Sequence, residues 1–349
     1  MNITWKKFLV AAGANFDQDY VVDFGNPVRE RLVINAGNII ADLSHQGLIA
    51  VQGQDAQSFL HSQFTNDMKR VDTATSQLSG YCNPKGRLLA IFRVYQIDDG
   101  YILSLPMDMV ESIISRLQKF ILMARVRVHD ASHTMAHIGL SGPQGDIKLK
   151  EITGATPERI NAVVQIEGLT IARIPGPSPR FEIFGSFDAV ETLWSKLDVH
   201  AAPVGRDAWD LLDIQQGIPS IVMETSEMFV PQMVNLELIE GLSFKKGCYP
   251  GQEIVARMQY RGKTKRRMFR AHITQDSDYS PAPGTQIYAP DQTEQSIGNL
   301  VIARRSPDDG YNLLIVVAIE YATTKNLRFY GKDGPAITLK QLPYELPSE

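Results

Sequence analysis

The hydrophobic pattern of the chain changes once, near residue 262, and this change limits the folds it can adopt. Before that point, runs with a period of two residues alternate with amphipathic stretches of period 3.6, which predicts strands and helices in turn. After it, strand patterns separated by Pro- and Gly-containing turns dominate, and no long helical period occurs. The order of hairpins and helices favours an α+β fold over a doubly wound parallel sheet, followed by a C-terminal β-barrel or sandwich.

The composition fits a globular protein of two or three domains. The chain has 349 residues, of which 44% are apolar and 21% charged. Its net charge of -4 excludes a protein that is basic throughout, although a local basic patch is compatible with it. Two cysteines are too few for a disulfide framework or a four-cysteine metal site.

The sequence predicts no membrane span. The longest clean apolar run, Leu313 to Ile319, suits a buried strand. Lys6 and Lys7 precede a short apolar stretch that imitates a signal peptide only faintly, so we expect a cytoplasmic protein with an ordinary first helix or strand.

Several elements are predicted with clear bounds. An amphipathic helix opens at Pro106 and extends to Ile121. Other helices are predicted over Gly53–Phe64, Asp188–Leu197 and Asp207–Gln216, and strands over Leu48–Val51, Leu88–Gln96, Tyr101–Leu105, Met135–Leu140, Leu169–Ile174 and Arg180–Phe184.

The most unusual stretch is residues 243–257, which read SFKKGCYPGQEIVAR. A tight turn with two glycines and a proline precedes a predicted helix, so Cys248 lies shortly before a helix N-terminus and beside Lys245 and Lys246. The helix dipole and the two lysines favour the thiolate. The cysteine is therefore either reactive or metal-ligating, or it is a small buried residue in a turn, and the residues alone leave both interpretations open.

Two further patterns have competing interpretations. Basic residues follow without an intervening acid, and they form either a site for a polyanion such as RNA or a solvated face: Arg257, Arg261, Lys263, Lys265, Arg266, Arg267 and Arg270. Three histidines lie four residues apart, at 129, 133 and 137, but the strand patterns around them predict a hairpin, which argues against a helical metal site.

The octapeptide Lys246-Gly-Cys-Tyr-Pro-Gly-Gln-Glu253 resembles the signature of the YgfZ-type folate-binding proteins. These are relatives of the T protein of the glycine cleavage system and serve iron–sulfur cluster maintenance and tRNA modification. Further blocks resemble the same family: Gly53-Gln-Asp-Ala-Gln-Ser-Phe-Leu60, Gln63-Phe-Thr-Asn-Asp67, Gly80-Tyr-Cys-Asn-Pro-Lys-Gly-Arg87, Gly205-Arg-Asp-Ala-Trp-Asp-Leu-Leu212, Gln215-Gln-Gly-Ile-Pro219 and Phe229-Val-Pro-Gln-Met-Val-Asn-Leu236. The resemblance covers residues 40 to 345.

The resemblance implies an α+β fold of the glycine-cleavage T-protein type, a ring of three subdomains around a central folate cavity with a C-terminal β-barrel. We divide the chain accordingly into a first subdomain over residues 1–130 and a second over 131–240. The signature and its helix occupy 241–262, and the barrel occupies 263–349.

The resemblance also implies a site. The expected cofactor is tetrahydrofolate or a derivative, with Trp209 flanking the folate, Arg206 binding its carboxylates and Glu182 accepting N–H bonds from the pterin edge. Cys248 takes the role of the essential thiol. The other signature residues are Lys246, Gly247, Tyr249, Gly251, Gln252 and Glu253.

One departure from the T protein bears on the reaction. Where the T protein has a Gly-Gly-apolar-apolar-Asp-Asp run with its catalytic aspartate, this chain has Gly86-Arg-Leu-Leu-Ala-Ile91. Ala90 and Ile91 cannot move a proton, so aminomethyl transfer by the known route is not expected. The predicted function is a folate-binding accessory protein that supports iron–sulfur client proteins and, through them, tRNA modification. The alternatives are a tetrahydrofolate-dependent one-carbon transferase and an RNA-binding module that uses residues Arg257 to Arg270.

Overall fold

The computed structural model describes residues 1–262, 264–274, 280–289, 295–322, 326–331 and 334–347. The chain divides into two compact units. The first unit comprises Met1–Phe59, Lys69–Gln77 and Arg93–Leu212, and the second comprises Leu60–Met68, Leu78–Phe92 and Asp213–Glu349. The division into four segments predicted from the sequence stays a prediction.

Helices and strands alternate in the order that the periodicity predicts. The helices are α1 (Ile3–Ala11), α2 (Pro27–Val33), α3 (Ala56–Gln63), α4 (Val110–Gln118), α5 (Gly145–Thr153), α6 (Phe187–Leu197), α7 (Arg206–Gln216), α8 (Gln252–Tyr260) and α9 (Ile319–Ala322). The strands before residue 212 are β1 (Asn15–Asp17), β2 (Tyr20–Asp23), β3 (Ile39–Asp42), β4 (Gln46–Gln52), β5 (Gln77–Cys82), β6 (Leu88–Ile97), β7 (Gly100–Pro106), β8 (Arg127–Asp130), β9 (Ala136–Ser141), β10 (Val163–Ile166), β11 (Leu169–Ile174), β12 (Arg180–Gly185) and β13 (Ala202–Val204). The later strands are β14 (Arg266–Ile273), β15 (Gln286–Tyr288), β16 (Gly298–Arg305), β17 (Tyr311–Ala318), β18 (Leu327–Phe329) and β19 (Ala336–Lys340).

A six-stranded sheet organises the first unit, in the order β10-β11-β12-β9-β3-β13. Its pairs are antiparallel except for β13 and β3, which run parallel. A cluster of buried aliphatic and aromatic side chains includes Trp5 from α1 and Trp194 from α6, whose ring centroids lie 6.0 Å apart. Helix α1 is therefore an integral part of this core.

A second sheet of the first unit pairs the end of β6 with β7, then β7 with β4 and β4 with β8, all antiparallel. The hairpin between β6 and β7 turns at Asp98 and Asp99. A further buried cluster, which includes Tyr95 and Phe184, joins residues of β4, β6 and β12. Glu182, which the resemblance predicts to contact folate, therefore lies on a strand whose neighbours are well packed.

The second unit contains a closed barrel, in the order β14-β17-β16-β15-β18-β19. Its interior is lined by aliphatic residues from every strand and by Phe329. This confirms the prediction of a C-terminal β-barrel. Closure of the barrel pairs the two edge strands of the sheet with each other. Arg267 of β14 is 7% exposed and pairs with Glu237, so it is part of this unit's interior.

The predicted helix after Pro106 is confirmed, but its predicted end is wrong. A single turn of 3-10 helix, Met107–Met109, precedes α4, and α4 stops at Gln118 instead of Ile121. The amides of Phe120 and Ile121 bond to carbonyls only three residues back, which tightens the last turn and ends the helix. Phe120 consequently leaves the apolar face and is 49% exposed.

Candidate functional site

Strands β9 and β12 place Glu182 and His137 on the same face of the six-stranded sheet. Glu182 is paired with Gly139, and His137 is paired with Phe184, so the two side chains belong to adjacent positions of one face. The hydroxyl of Tyr95 donates a hydrogen bond to Oε2 of Glu182, and Nε2 of His137 lies 3.6 Å from the same oxygen. We call Glu182, His137 and Tyr95 the Glu182 cluster.

The Glu182 carboxylate stays ionised although it is largely buried. Burial by itself would raise the pKa of this carboxyl. The imidazole of His137, followed by the guanidinium of Arg93, outweighs that effect and lowers the pKa to about 2. The pKa of Tyr95 is raised, first by burial and then by the negative charge of Glu182. The Glu182 cluster thus presents a negative acceptor at neutral pH.

His137 is a buried polar group with unmet hydrogen-bonding capacity. The residue is 3% exposed, and neither Nδ1 nor Nε2 has a hydrogen-bond partner among the described residues. The separation of 3.6 Å from Glu182 is too long for a hydrogen bond. Buried polar groups are nearly always satisfied, so the imidazole has capacity for a further hydrogen bond.

Trp209 lies on the same face as Glu182. A Cβ on Gly139 would come within 2.4 Å of the indole, so the absence of a side chain at this position makes room for the ring. The guanidinium of Arg180 lies over the ring at 4.1 Å from its centroid, and Trp209 is 2% exposed. A ligand stacked on this indole would compete with Arg180 for it, and the role of Trp209 beside folate stays a prediction.

Arg206, the first residue of α7, is held by a chain of polar contacts. Its Nε lies 3.3 Å from Oδ2 of Asp210, and Oδ1 of Asp210 lies 3.2 Å from Nε2 of His45. The Arg206 side chain is 29% exposed, while Asp210 and His45 are buried. Arg206 donates to Asp210 through Nε, and its guanidinium carbon lies 5.4 Å from the centroid of the Tyr20 ring.

The signature residues form a separate group in the second unit. Residues 243–251, the signature loop, run up to the predicted helix, α8, which starts at Gln252, two residues after Pro250. Lys246 is 8% exposed, and its ammonium donates to the carbonyls of His61 and Phe64 at the C-terminal end of α3. Burial lowers the pKa of Lys246 to about 8, against the opposing charge of Asp67. Lys246 therefore ties the signature loop to α3.

The two cysteines differ sharply in their environments. Cys248 is a free thiol exposed on the signature loop, whereas Cys82 is buried in β5. Burial raises the pKa of the Cys82 thiol, which keeps it protonated and unreactive. The structure thus leaves Cys248 as the accessible thiol of the two.

The remaining signature residues shape the loop. Gly251 has φ +79°, and a Cβ there would approach the carbonyl oxygen of Asn83 to 2.4 Å, so only glycine fits this turn. Tyr249 is buried in a small cluster with Leu242 and Val255. Gln252 and Glu253 begin α8, and Glu253 is exposed, as is Gly247.

Sequence reasoning missed the partners of several of these residues. His137 and Tyr95 carry no motif; the available signal was a polar residue inside a mostly apolar strand. His129 and His137 lie on different strands, but the predicted hairpin is wrong, because β8 pairs with β4 whereas β9 pairs with β12 and β3 in the other sheet. No three acidic, histidine or cysteine side chains in the described ranges are placed to hold a metal. The part of the chain that the structure describes also contains no helix with the length and hydropathy of a membrane span.

The basic run does not form one continuous surface. Arg257, Arg261 and Lys265 are exposed, but Arg267 is buried against Glu237. Arg270 is half-buried and donates to the carbonyl of Gln341. Lys263 lies outside the described residues.

Comparisons with known proteins agree with the signature. The chain is 29% identical over 317 residues to the tRNA-modifying protein YgfZ of Colwellia psychrerythraea, covering 89% of this chain and 94% of the relative. It is 27% identical to the protein of the same name from Photorhabdus laumondii, covering 89% and 93%. The crystal structure of the glycine cleavage system aminomethyltransferase T from Bartonella henselae superposes with a TM-score of 0.74 at 18% identity, covering 98% of this chain and 97% of that one.

These findings confirm the resemblance predicted from the octapeptide and the T-protein type of fold. The family of the GCVT N-terminal domain matches residues 24–243. That match spans more than half of the chain, and the chain therefore belongs to the GCVT N-terminal domain family.

Proposed function

We propose that this chain is a folate-binding protein that acts in tRNA modification and does not transfer aminomethyl groups. The curated relatives bear the name tRNA-modifying protein, and the shared fold is that of an aminomethyltransferase. The observation that carries the proposal is the Glu182 cluster, in which an ionised carboxylate lies beside a buried imidazole that lacks hydrogen-bond partners among the described residues.

The residues of this cluster fit the chemistry of a pterin. A carboxylate is an acceptor for two adjacent N–H groups, which the amino-pyrimidinone edge of a pterin carries. The aromatic Trp209 lies on the same face of the sheet, and an indole suits contact with a flat ring. Arg206, oriented by Asp210, would bind the carboxylates of the folate tail through its terminal nitrogens.

The residues that stand where the T protein has carboxylates support the absence of aminomethyl transfer. Ala90 and Ile91, which stand where the T protein has carboxylates, are buried apolar residues of β6 at 0% and 4% exposure. A side chain without an ionisable group cannot take up or deliver a proton. The proposed activity therefore lies in binding folate and in the thiol of Cys248, which we expect to support iron–sulfur proteins in cells. The cytoplasmic location stays a prediction.

Calorimetric titration with tetrahydrofolate and with its 5-formyl derivative tests the binding. We expect saturable binding that Glu182→Gln weakens by roughly tenfold to a hundredfold, since it removes a charged acceptor of two hydrogen bonds. Glu158→Gln, at an exposed glutamate of the same unit, is the control and should bind like the unmodified protein. No binding at millimolar folate would overturn the proposal, and so would ammonia release from an aminomethylated lipoyl carrier in the presence of tetrahydrofolate.

The thiol is tested by complementation. A stably folded Cys248→Ser protein should bind folate normally and fail to support iron–sulfur enzymes in cells that lack the native protein. Serine keeps the size of cysteine but cannot form a thiolate at neutral pH, a soft metal bond or a disulfide. Full complementation would refute the role proposed for Cys248.

RNA binding is a second candidate, favoured by the exposed side chains of Arg257, Arg261 and Lys265. If they contact phosphates, tRNA affinity should fall with salt, and Arg261→Gln should lower the log–log salt slope by about 1. Lys196→Gln, at an exposed lysine of the first unit, should leave the slope unchanged. A slope that Arg261→Gln does not alter would remove this candidate.

A further inference from the structure

Residues 119–127, which read KFILMARVR, connect helix α4 to strand β8 in the first unit, and we call them the Met123 segment. The segment carries the two most exposed large apolar side chains of the described residues, Met123 at 96% and Leu122 at 87%. Phe120 adds a third, at 49%. Single exposed apolar side chains are ordinary on a protein surface, but three within four positions form a patch.

The Met123 segment is fastened at the end that leads into β8. The backbone amide of Arg125 donates to Oδ2 of Asp55 at 2.8 Å, and its Nη1 donates to Oε1 of Gln54 at 3.0 Å. A Cβ on Gly53 would lie 2.2 Å from the carbonyl oxygen of Arg125, so the two backbones are in close contact. The apolar side chains are therefore exposed on an anchored connection and not on a frayed terminus.

Basic side chains lie on both sides of the apolar patch. Lys119 precedes it and Arg125 and Arg127 follow it, all three are exposed, and the segment contains no acid. The carboxylate of Asp55, at the anchored end, offsets part of this charge. An apolar centre between basic residues is typical of segments that lie at the interface of an anionic bilayer, where the apolar side chains leave water and the cations meet phosphate groups.

We propose that the Met123 segment docks the protein reversibly on an anionic lipid surface. Phe120, Leu122 and Met123 enter the boundary between head groups and acyl chains, and the three basic side chains bind the head groups. Insertion and charge attraction together supply the two contributions that reversible membrane binding requires. Docking of this kind needs no membrane-spanning helix, and it is independent of the proposed binding of folate.

Other occupants fit the Met123 segment less well. Its three apolar side chains leave roughly 400 Å² in water, about half of the ~800 Å² that each partner buries in a stable protein complex. A second copy of this chain would bring like charges together. Single-stranded nucleic acid gains affinity by stacking its bases on aromatic rings, and Phe120 is the one aromatic residue of the segment.

The test is flotation of the full-length protein with vesicles of phosphatidylcholine that contain about 30% phosphatidylglycerol, compared with vesicles of phosphatidylcholine alone. We expect binding to the anionic vesicles only, stronger at about 0.1 M salt than at about 0.5 M. Leu122→Asn and Met123→Asn should each lower the partition coefficient roughly tenfold, because one apolar side chain fewer leaves water. Arg127→Gln should lower it about fivefold and weaken its dependence on salt.

Val199→Asn is the matched control. Val199 is 76% exposed in the same unit, but it follows an aspartate, so its substitution should leave the partition coefficient unchanged. All of these positions are exposed, and the midpoint of urea unfolding should stay the same in every variant.

A second measurement reports insertion directly. The three native tryptophans are buried, so brominated lipid should quench a tryptophan introduced by Met123→Trp and should not quench one introduced by Val199→Trp. Quenching requires contact with the acyl chains, which purely electrostatic adsorption does not provide.

Absence of binding to anionic vesicles, or equal binding to neutral ones, would overturn the inference. So would vesicle binding that Leu122→Asn and Met123→Asn leave unchanged. If these variants instead lose self-association or tRNA binding while the unmodified protein ignores vesicles, the segment serves a second copy or RNA and the inference is wrong. The assay contains no folate, so its failure and the failure of the proposed function are separately visible.

Discussion

The contact between Gly139 and Trp209 yields a quantitative prediction for the first unit. A Cβ placed on Gly139 would lie 2.4 Å from Cη2, 2.5 Å from Cζ3 and 2.6 Å from Cζ2 of the indole. Contacts this short do not occur between carbon atoms, so Gly139→Ala forces either the ring or strand β9 to move.

The loss of stability in Gly139→Ala depends on how rigidly the surrounding residues hold the indole. Trp209 is 2% exposed, packs in a buried cluster and has the Arg180 guanidinium over its ring. A rigid ring in such surroundings cannot rotate away as a flexible side chain would. Overpacking of this kind costs about 3 kcal/mol of the free energy of unfolding, the upper part of the usual range.

Gly145→Ala is the matched control. Gly145 is also buried in the first unit and opens α5, but a Cβ there would meet its nearest atoms at 3.5 Å and 3.8 Å, which is ordinary contact. Alanine is a better helix former than glycine, so this change should leave stability within about 0.5 kcal/mol or raise it slightly.

Urea unfolding followed by tryptophan fluorescence is the assay. The three tryptophans of the chain, Trp5, Trp194 and Trp209, all belong to the first unit, so the signal reports on that unit. We expect a lower transition midpoint for Gly139→Ala and an unchanged one for Gly145→Ala. If the two variants unfold with free energies within about 0.5 kcal/mol of each other, the steric argument is refuted.

Three further predictions concern single residues. In the native protein, iodoacetamide should modify Cys248 at least roughly a hundredfold faster than Cys82, whose thiol has a pKa raised by burial, and equal rates by peptide mapping would contradict this. Lys246→Met should lower the free energy of unfolding by about 2 kcal/mol in thermal scans, because two carbonyls at the end of α3 lose their donor, while Lys245→Met at the exposed neighbour should not. The pKa of Glu182 is lowered from 4.5 to about 2, so its contribution to stability is complete above about pH 4.5 and is lost as the pH falls towards 2. Denaturant unfolding at several pH values should show that the difference in free energy of unfolding between the unmodified protein and Glu182→Gln shrinks as the pH falls from about 4.5 to about 2. A difference that grows as the pH falls would refute the predicted direction.

Local periodicity was sufficient for most elements of the fold. The predicted strand Leu169–Ile174 coincides with β11, and α6 and α7 begin within one residue of their predicted starts. Such patterns are properties of neighbouring residues, so they can be read without knowing what the element packs against. The end of α4 was not predictable in this way, because Phe120 continues the apolar spacing although the last turn has already tightened.

The candidate site was predictable only in part. The octapeptide drew attention to Cys248, and the structure leaves this thiol exposed. The function of Lys246 as a donor to the end of α3 was not predicted, since its partner His61 is 185 positions away in the chain. The basic run is predicted to form either a polyanion site or a solvated face, yet Arg267 is buried against Glu237, because alternate residues of a strand point to opposite faces of the sheet.

By itself the sequence determined the order of strands and helices, the C-terminal position of the barrel and the family, because these depend on local periodicity and on a contiguous signature. Only the tertiary structure decided that Glu182 meets Tyr95 and His137 and that Trp209 lies against Gly139. These contacts join residues from separate strands and a helix, and burial then sets whether each polar group is ionised, bonded or without a partner. A linear pattern records neither the pairing nor the burial, so the chemistry of the site becomes visible only once the chain is folded.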